Sequence, residues 1–266
     1  MPLALSHRLK PRCLAILGLV FAVLPALVAA ANLACYLPPP GATYFAEEVR
    51  VRSPGRQSLA GTLTVPTRGV LREGRPLRYP AILLLSGAAG LTRDGTTIED
   101  AAGSTPSYRP LFDLADTLTR RDVAVLRLDD RGVGASTGAL DFTTVVNRCD
   151  DARAALAYLR RRADIDPHRI AIAGMGEGAA IAALIAATDP DLRGIVLVAS
   201  PATLARPAAT SALVISGDAQ AIAAPAAAAM LMQSVRGKVA DWVAATLGGA
   251  ELGPRPAVAV RRRRHR

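Results

Sequence analysis

The sequence predicts an α/β fold, a mostly parallel sheet with helices on both faces. Three observations carry that prediction. The continuous apolar run 81–85 and the largely apolar segment 123–128 have the length and composition of strands buried on both sides. Segments of helical periodicity alternate with such runs along the chain. Strand–helix–strand order of this kind builds parallel pairs through right-handed crossovers.

The elements follow in order. Alternating patterns mark strands at about 45–52 and 58–65, joined through Ser53-Pro54-Gly55, which reads as an antiparallel edge. The strand 81–85 comes next, then a helix near 108–121 and the strand 123–128. A helix over about 143–162 carries the stripe Val145, Cys149, Ala152, Leu156 and Leu159. A strand at 170–173, a helix at 177–188 and strands at 194–198 and 212–215 lead to a last helix near 234–247. The alanine-rich stretch 221–229 is of low complexity and compatible with helix, and no internal repeat is present.

Composition excludes several classes. A hydrophobic fraction of 51% excludes a disordered chain. A single long apolar run argues against a polytopic membrane protein, and three Cys with three scattered His do not make a zinc module. The net charge of +10 is concentrated at the ends. Arg8, Lys10 and Arg12 precede any acid, and Arg261, Arg262, Arg263, Arg264 and Arg266 close the chain, leaving a net +2 for the body. Specific nucleic-acid binding is therefore not expected. The tail, 249–266, reads as disordered and basic, a candidate contact for anionic lipid or cell-wall polymers.

Residues 1–31 read as an export signal. A basic segment ends at Arg12, an apolar run is broken at Pro25, and Val28, Ala29, Ala30 and Ala31 supply small residues for cleavage after Ala30 or Ala31. An uncleaved N-terminal anchor is the alternative, since about 19 apolar residues just span a bilayer. A lipoprotein on Cys35 is disfavoured by Asn32. The linker 32–43 contains Leu37-Pro38-Pro39-Pro40-Gly41, and the folded domain is expected over 44–248. An oxidising compartment would permit a Cys35–Cys149 disulfide, but the place of Cys149 on the apolar helical stripe favours a buried core thiol.

Four segments carry a family resemblance. Leu85-Ser86-Gly87-Ala88-Ala89-Gly90 ends a buried strand. Leu128-Asp129-Asp130-Arg131-Gly132-Val133-Gly134-Ala135-Ser136 forms an Asp-x-Arg-Gly-x-Gly-x-Ser turn. Asp164-Ile165-Asp166-Pro167-His168-Arg169-Ile170 approaches a further strand, and Gly174-Met175-Gly176-Glu177-Gly178 follows it. In order and spacing, from Tyr44 to about Ala202, the chain resembles the α/β-hydrolase superfamily, nearest to bacterial esterases and peptidases of the dienelactone-hydrolase or serine-aminopeptidase type. The resemblance implies a sheet with a minimal lid or none and a shortened C-terminal part. It also implies an oxyanion loop at Ser86–Gly90, oxyanion donors at the Ala88 and Glu177 N–H groups, and a nucleophile elbow at 174–178. Asp130, Arg131, Gly132, Gly134 and Ser136 would serve as a structural turn.

The chemistry is missing where the resemblance requires it. Gly176 stands where the family has its nucleophilic Ser, and it has no Oγ. The acid position, three residues after Gly217, is Gln220. No His is placed to act as base: His7 lies in the leader, His168 at the opposite end of the nucleophile strand, and His265 in the tail. The segment between Gly217 and the last helix is too short for the family's final strand and His loop. The expectation is an exported protein of ester or amide hydrolase ancestry without an intact catalytic set or a cofactor, keeping a site for a small acyl-type ligand. One alternative is residual hydrolysis through Ser86, Ser136 or Ser200. Another is a dinucleotide fingerprint at Gly174-x-Gly176-x-x-Ala179, which lacks the ribose-binding acid on the next strand.

Overall fold

A computed structural model describes residues 38–67, 78–97, 109–199, 211–215 and 225–248. The leader, residues 32–37, Ser200, Gln220 and the tail lie outside the described residues. Seven strands form one sheet in the order β1-β2-β4-β3-β5-β6-β7. These are β1 (Tyr44–Ser53), β2 (Gln57–Pro66), β3 (Tyr79–Leu85), β4 (Ala124–Leu128), β5 (Ile165–Met175), β6 (Gly194–Val198) and β7 (Ser211–Ile215). The helices are α1 (Pro110–Thr119), α2 (Val145–Arg160), α3 (Glu177–Ala186) and α4 (Pro225–Leu247). The fold class read from the sequence is the one observed.

Pairing follows the sequence pattern. β1 and β2 pair antiparallel over ten residues, and β2 joins β4 antiparallel. From β4 to β7 every neighbouring pair is parallel. The strands with continuous apolar runs are therefore those with helices on both faces. One core forms where Ala152, Leu156 and Leu159 of α2 and Ile181 and Ile185 of α3 meet the sheet. The other forms where Leu111, Leu114 and Leu118 of α1 and Val235, Val239 and Val243 of α4 cover the opposite face.

Two boundaries differ from the sequence reading. β5 begins at Ile165, not 170, because its register against β3 shifts between the pairs Tyr79–Ile165 and Ala81–Ile170, absorbing the residues around Pro167. α4 begins at Pro225, about nine residues early, because the alanine-rich stretch continues the helix. The α2 stripe is buried at Cys149, Ala152, Leu156 and Leu159, but Val145 is exposed. Val145 is the first helical residue, capped by Thr144 and Asn147 in a reciprocal capping box. Cys149 is a free, buried thiol whose pKa burial raises; Cys35 lies outside the described residues.

Charges are built into the sheet's flank. Arg93 and Asp129 are both fully buried and paired through two hydrogen bonds from the guanidinium, at 3.1 and 2.8 Å. Arg93 also binds Glu48 and Thr62. Burial alone would lower the Arg93 pKa, but the bonds to Asp129 and Glu48 outweigh it and raise it. Arg127 of β4 is also fully buried, pairs with Asp94, and faces the Phe112 ring 5.3 Å away. Its burial lowers its pKa, only partly opposed by Asp94.

At the start of β5, Arg162 binds Asp164 at 2.7 and 2.8 Å and Glu47 of β1 at 2.9 Å. The Arg162 hydrogen bonds hold the Asp164 carboxyl below its ordinary value, against partial desolvation. A depressed folded-state pKa gives stability that is present above the unfolded value, ~3.9, and lost as pH falls through the folded value. Asp164→Asn is expected to cost about 1 kcal/mol or less at neutral pH, since the pair is partly solvated. The difference in melting temperature between the two proteins should close as pH falls below about 4.

Candidate functional site

The candidate site lies at the C-terminal end of the sheet, where open α/β sheets place their ligands. β5 runs into Gly176, whose φ of 55° and ψ of −119° turn the chain directly into α3. Residues with a side chain rarely adopt that conformation, and glycine holds it without a Cβ penalty. The Gly176 N–H donates to the Val198 carbonyl at 2.9 Å, which ties the turn to the end of β6. Glu177 then begins α3, the N-terminal helix turn carrying no side-chain cap.

The flanking glycines set the approach of α3 to the sheet. Gly174 pairs with Leu85 on one side and Leu197 on the other, at the sheet's centre. A Cβ on Gly174 would overlap the Gly178 carbonyl and lie 2.5 Å from the Ala179 nitrogen. A Cβ on Gly178 would overlap the Ser86 carbonyl and lie 3.0 Å from the Leu85 Cβ. Both positions therefore exclude side chains for reasons of packing. At Gly176 a Cβ would meet the Gly87 carbonyl oxygen at 3.0 Å.

The oxyanion loop packs onto this turn. The sequence reading assigns oxyanion donors to Ala88 and Glu177. In the structure the Glu177 N–H donates to the Gly87 carbonyl at 2.9 Å, so it does not face an open pocket. Ala88 is exposed, and its carbonyl accepts from Ser86 Oγ at 3.1 Å. Arg148 of α2 reaches under the loop. Its Nη2 donates to Ser86 Oγ at 2.9 Å and to the Ser86 carbonyl at 3.2 Å, and its Nη1 lies 3.1 Å from Glu177 Oε2. Asp130 accepts from Ser86 Oγ at 3.3 Å and from the Leu91 N–H at 3.2 Å. Burial raises the Asp130 pKa, opposed by Arg148.

The Asp-x-Arg-Gly turn works as scaffold. Arg131 binds Asp151 of α2 at 2.8 and 2.6 Å. Gly132 and Gly134 have φ of 71° and 55°, and a Cβ on Gly134 would press on the Asp129 carboxylate. Ser136 Oγ donates to the Asp129 carbonyl and accepts from the Ala60 N–H, both at 2.9 Å. Its hydroxyl ties β2 to the turn, away from the elbow.

Two small cavities among the described residues lie beside the elbow. One of about 30 Å³ is bordered by Ser86, Asp130, Arg148 and Asp151, and one of about 10 Å³ by Met175, Leu85 and Val198. The first accommodates ordered water; ligand pockets run to several hundred Å³. His168 is the only histidine among the described residues. It is exposed near the start of β5, while Gly176 follows the end of the same strand. Among the described residues no acidic, His or Cys cluster has the makings of a metal site. Sequence reasoning missed Arg148. One position from a buried stripe, it reads as an ordinary helix-surface residue, yet it is 7% exposed.

A family model described as serine aminopeptidase, S33, matches residues 102–247. No curated protein matches the chain. Among solved structures, the α/β hydrolase GrgF from Penicillium sp. sh18 is 20% identical, with 58% of this chain and 46% of that chain covered and a TM-score of 0.46. An α/β serine hydrolase without a lid from Xanthomonas campestris is 22% identical, with 69% and 74% covered and a TM-score of 0.47. The Pyrococcus furiosus esterase Pf2001 is 20% identical, with 62% and 55% covered and a TM-score of 0.45. The chain spans about half the length of the first structures it matches. The family model takes in more than half of the sequence, and the chain belongs to the serine aminopeptidase S33 family of α/β hydrolases.

Proposed function

We propose that this chain is a non-catalytic member of its family, exported through residues 1–31, whose remaining role is to bind a small acyl-type ligand or a partner at the mouth of the former active site. One observation carries the reading: the turn between β5 and α3 keeps a φ of 55° with no side chain on it. Serine hydrolysis needs an oxygen nucleophile at that point, with a base in hydrogen-bond reach. Gly176 supplies no oxygen, and His168 is at the far end of β5.

A serine-reactive fluorophosphonate probe and a panel of short-chain esters test it. The purified protein is expected to show no stoichiometric labelling and no turnover above buffer. Stoichiometric labelling would overturn the reading, and mapping the labelled residue would show whether Ser86 acts instead. Gly176→Ser is expected to stay inactive, because among the described residues no imidazole faces the turn. Export predicts a mature N-terminus near Asn32, read by N-terminal sequencing of the envelope fraction; recovery of the full chain from the cytosol would remove that part. The basic tail, with Arg261, Arg262, Arg263, Arg264 and Arg266, is proposed to add anionic-surface contact. Salt-insensitive retention on anionic vesicles after deleting residues 261–266 would refute it.

A further inference from the structure

The contacts around the elbow close into a ring. Glu177 Oε2 lies 3.1 Å from Arg148 Nη1. Arg148 Nη2 donates to the hydroxyl and carbonyl of Ser86. Ser86 is bonded to Gly87, whose carbonyl accepts from the Glu177 N–H. The ring thus leaves from the side chain of Glu177 and returns to its own backbone. Arg148 is 7% exposed, so its hydrogen bonds to Ser86 are largely shielded from water, where charge-assisted hydrogen bonds are strongest; its contact with Glu177 is an ion pair to a partly exposed carboxylate.

The consequence concerns what occupies the donor. A substrate or ligand carbonyl in this fold is received by the N–H that follows the nucleophile position. Here a carbonyl of the protein's own loop fills that place. We infer that the Ser86–Gly87 loop is an autoinhibitory latch: the Gly87 carbonyl occupies the former oxyanion donor, and Arg148, held by Glu177, bolts it there. An acyl carbonyl enters only when the Gly87 peptide moves away from α3. The inference rests on the reading of this turn as the former nucleophile elbow, and it adds the state in which that site rests.

Amide hydrogen exchange followed by NMR tests the latch on the full chain. In the wild type the amide of Glu177 is expected to be protected at least a hundredfold over an open loop. Arg148→Met should speed exchange at position 177 by at least tenfold while leaving Ala179, which bonds to the Gly176 carbonyl, unchanged. If Arg148→Met does not fold, Glu177→Gln takes its place. It removes one charge from a half-exposed side chain and should speed exchange at position 177 several-fold. Free exchange at Glu177 in the wild type, or unchanged exchange in a folded variant, would overturn the latch. Neither outcome bears on fluorophosphonate labelling, so the latch and the loss of catalysis fail separately.

Discussion

Gly174→Ala is expected to destabilise the protein by about 3 kcal/mol or more, enough to abolish cooperative unfolding in a marginally stable domain. The added methyl has nowhere to go. It is directed at the backbone of the Gly178 peptide and the Ala179 nitrogen, not at the end of a flexible side chain. Relief requires α3 to lift off the sheet, and α3 carries Ile181 and Ile185 into the core. Urea denaturation monitored by circular dichroism measures the effect. Gly237→Ala is the control. Nothing lies within 4 Å of a Cβ at Gly237, in the interior of α4, so that change should stabilise by about 1 kcal/mol. Equal behaviour of the two variants would show that α3 does not pack as described.

Asp129→Ala is expected to cost about 3–5 kcal/mol, because it removes the fully buried acid from a buried guanidinium. Arg93 gives Asp129 two hydrogen bonds from its side chain and a third from its backbone N–H at 2.8 Å. Glu48, the other acid on Arg93, is partly exposed and cannot replace a fully buried partner. The surface pair Arg121–Asp241 provides the contrast. Its side chains are well exposed, and Asp241→Ala should cost less than about 1 kcal/mol. Thermal and urea unfolding of the two variants, side by side, would show the difference. A loss below 1 kcal/mol at Asp129 would mean that water reaches Arg93 in the folded state.

The parts of the fold that were legible in the sequence are those set by local pattern. Runs such as 81–85 announce buried parallel strands, and the Cys149–Leu159 stripe announces a helix facing a sheet. The beginning of β5 was not legible, because its residues around Pro167 are drawn into the sheet by pairing with Tyr79, a long-range contact with no local period. At the site, Gly174, Gly176 and Gly178 were legible because the backbone shape they permit is tied to residue type. The occupation of the Glu177 N–H was not. It depends on where a loop ninety residues earlier in the chain places one carbonyl, and a glycine at position 87 says only that the loop is free to do so. Likewise, five of the charges that dominate the buried networks (Arg93, Asp94, Arg127, Asp129, Arg148) read individually as surface residues. Only the packing shows them paired.

The backbone at Gly176 sets what a side chain there would cost the fold. A residue with a Cβ held at φ 55°, ψ −119° carries about 1–3 kcal/mol of local strain. The same side chain would also have to push the Gly87 carbonyl aside. Glycine at this position carries neither the strain nor the close contact. Any side chain at position 176 therefore starts from a cost in stability that its own chemistry must offset. Fold stability and side-chain chemistry thus pull in opposite directions at this one residue.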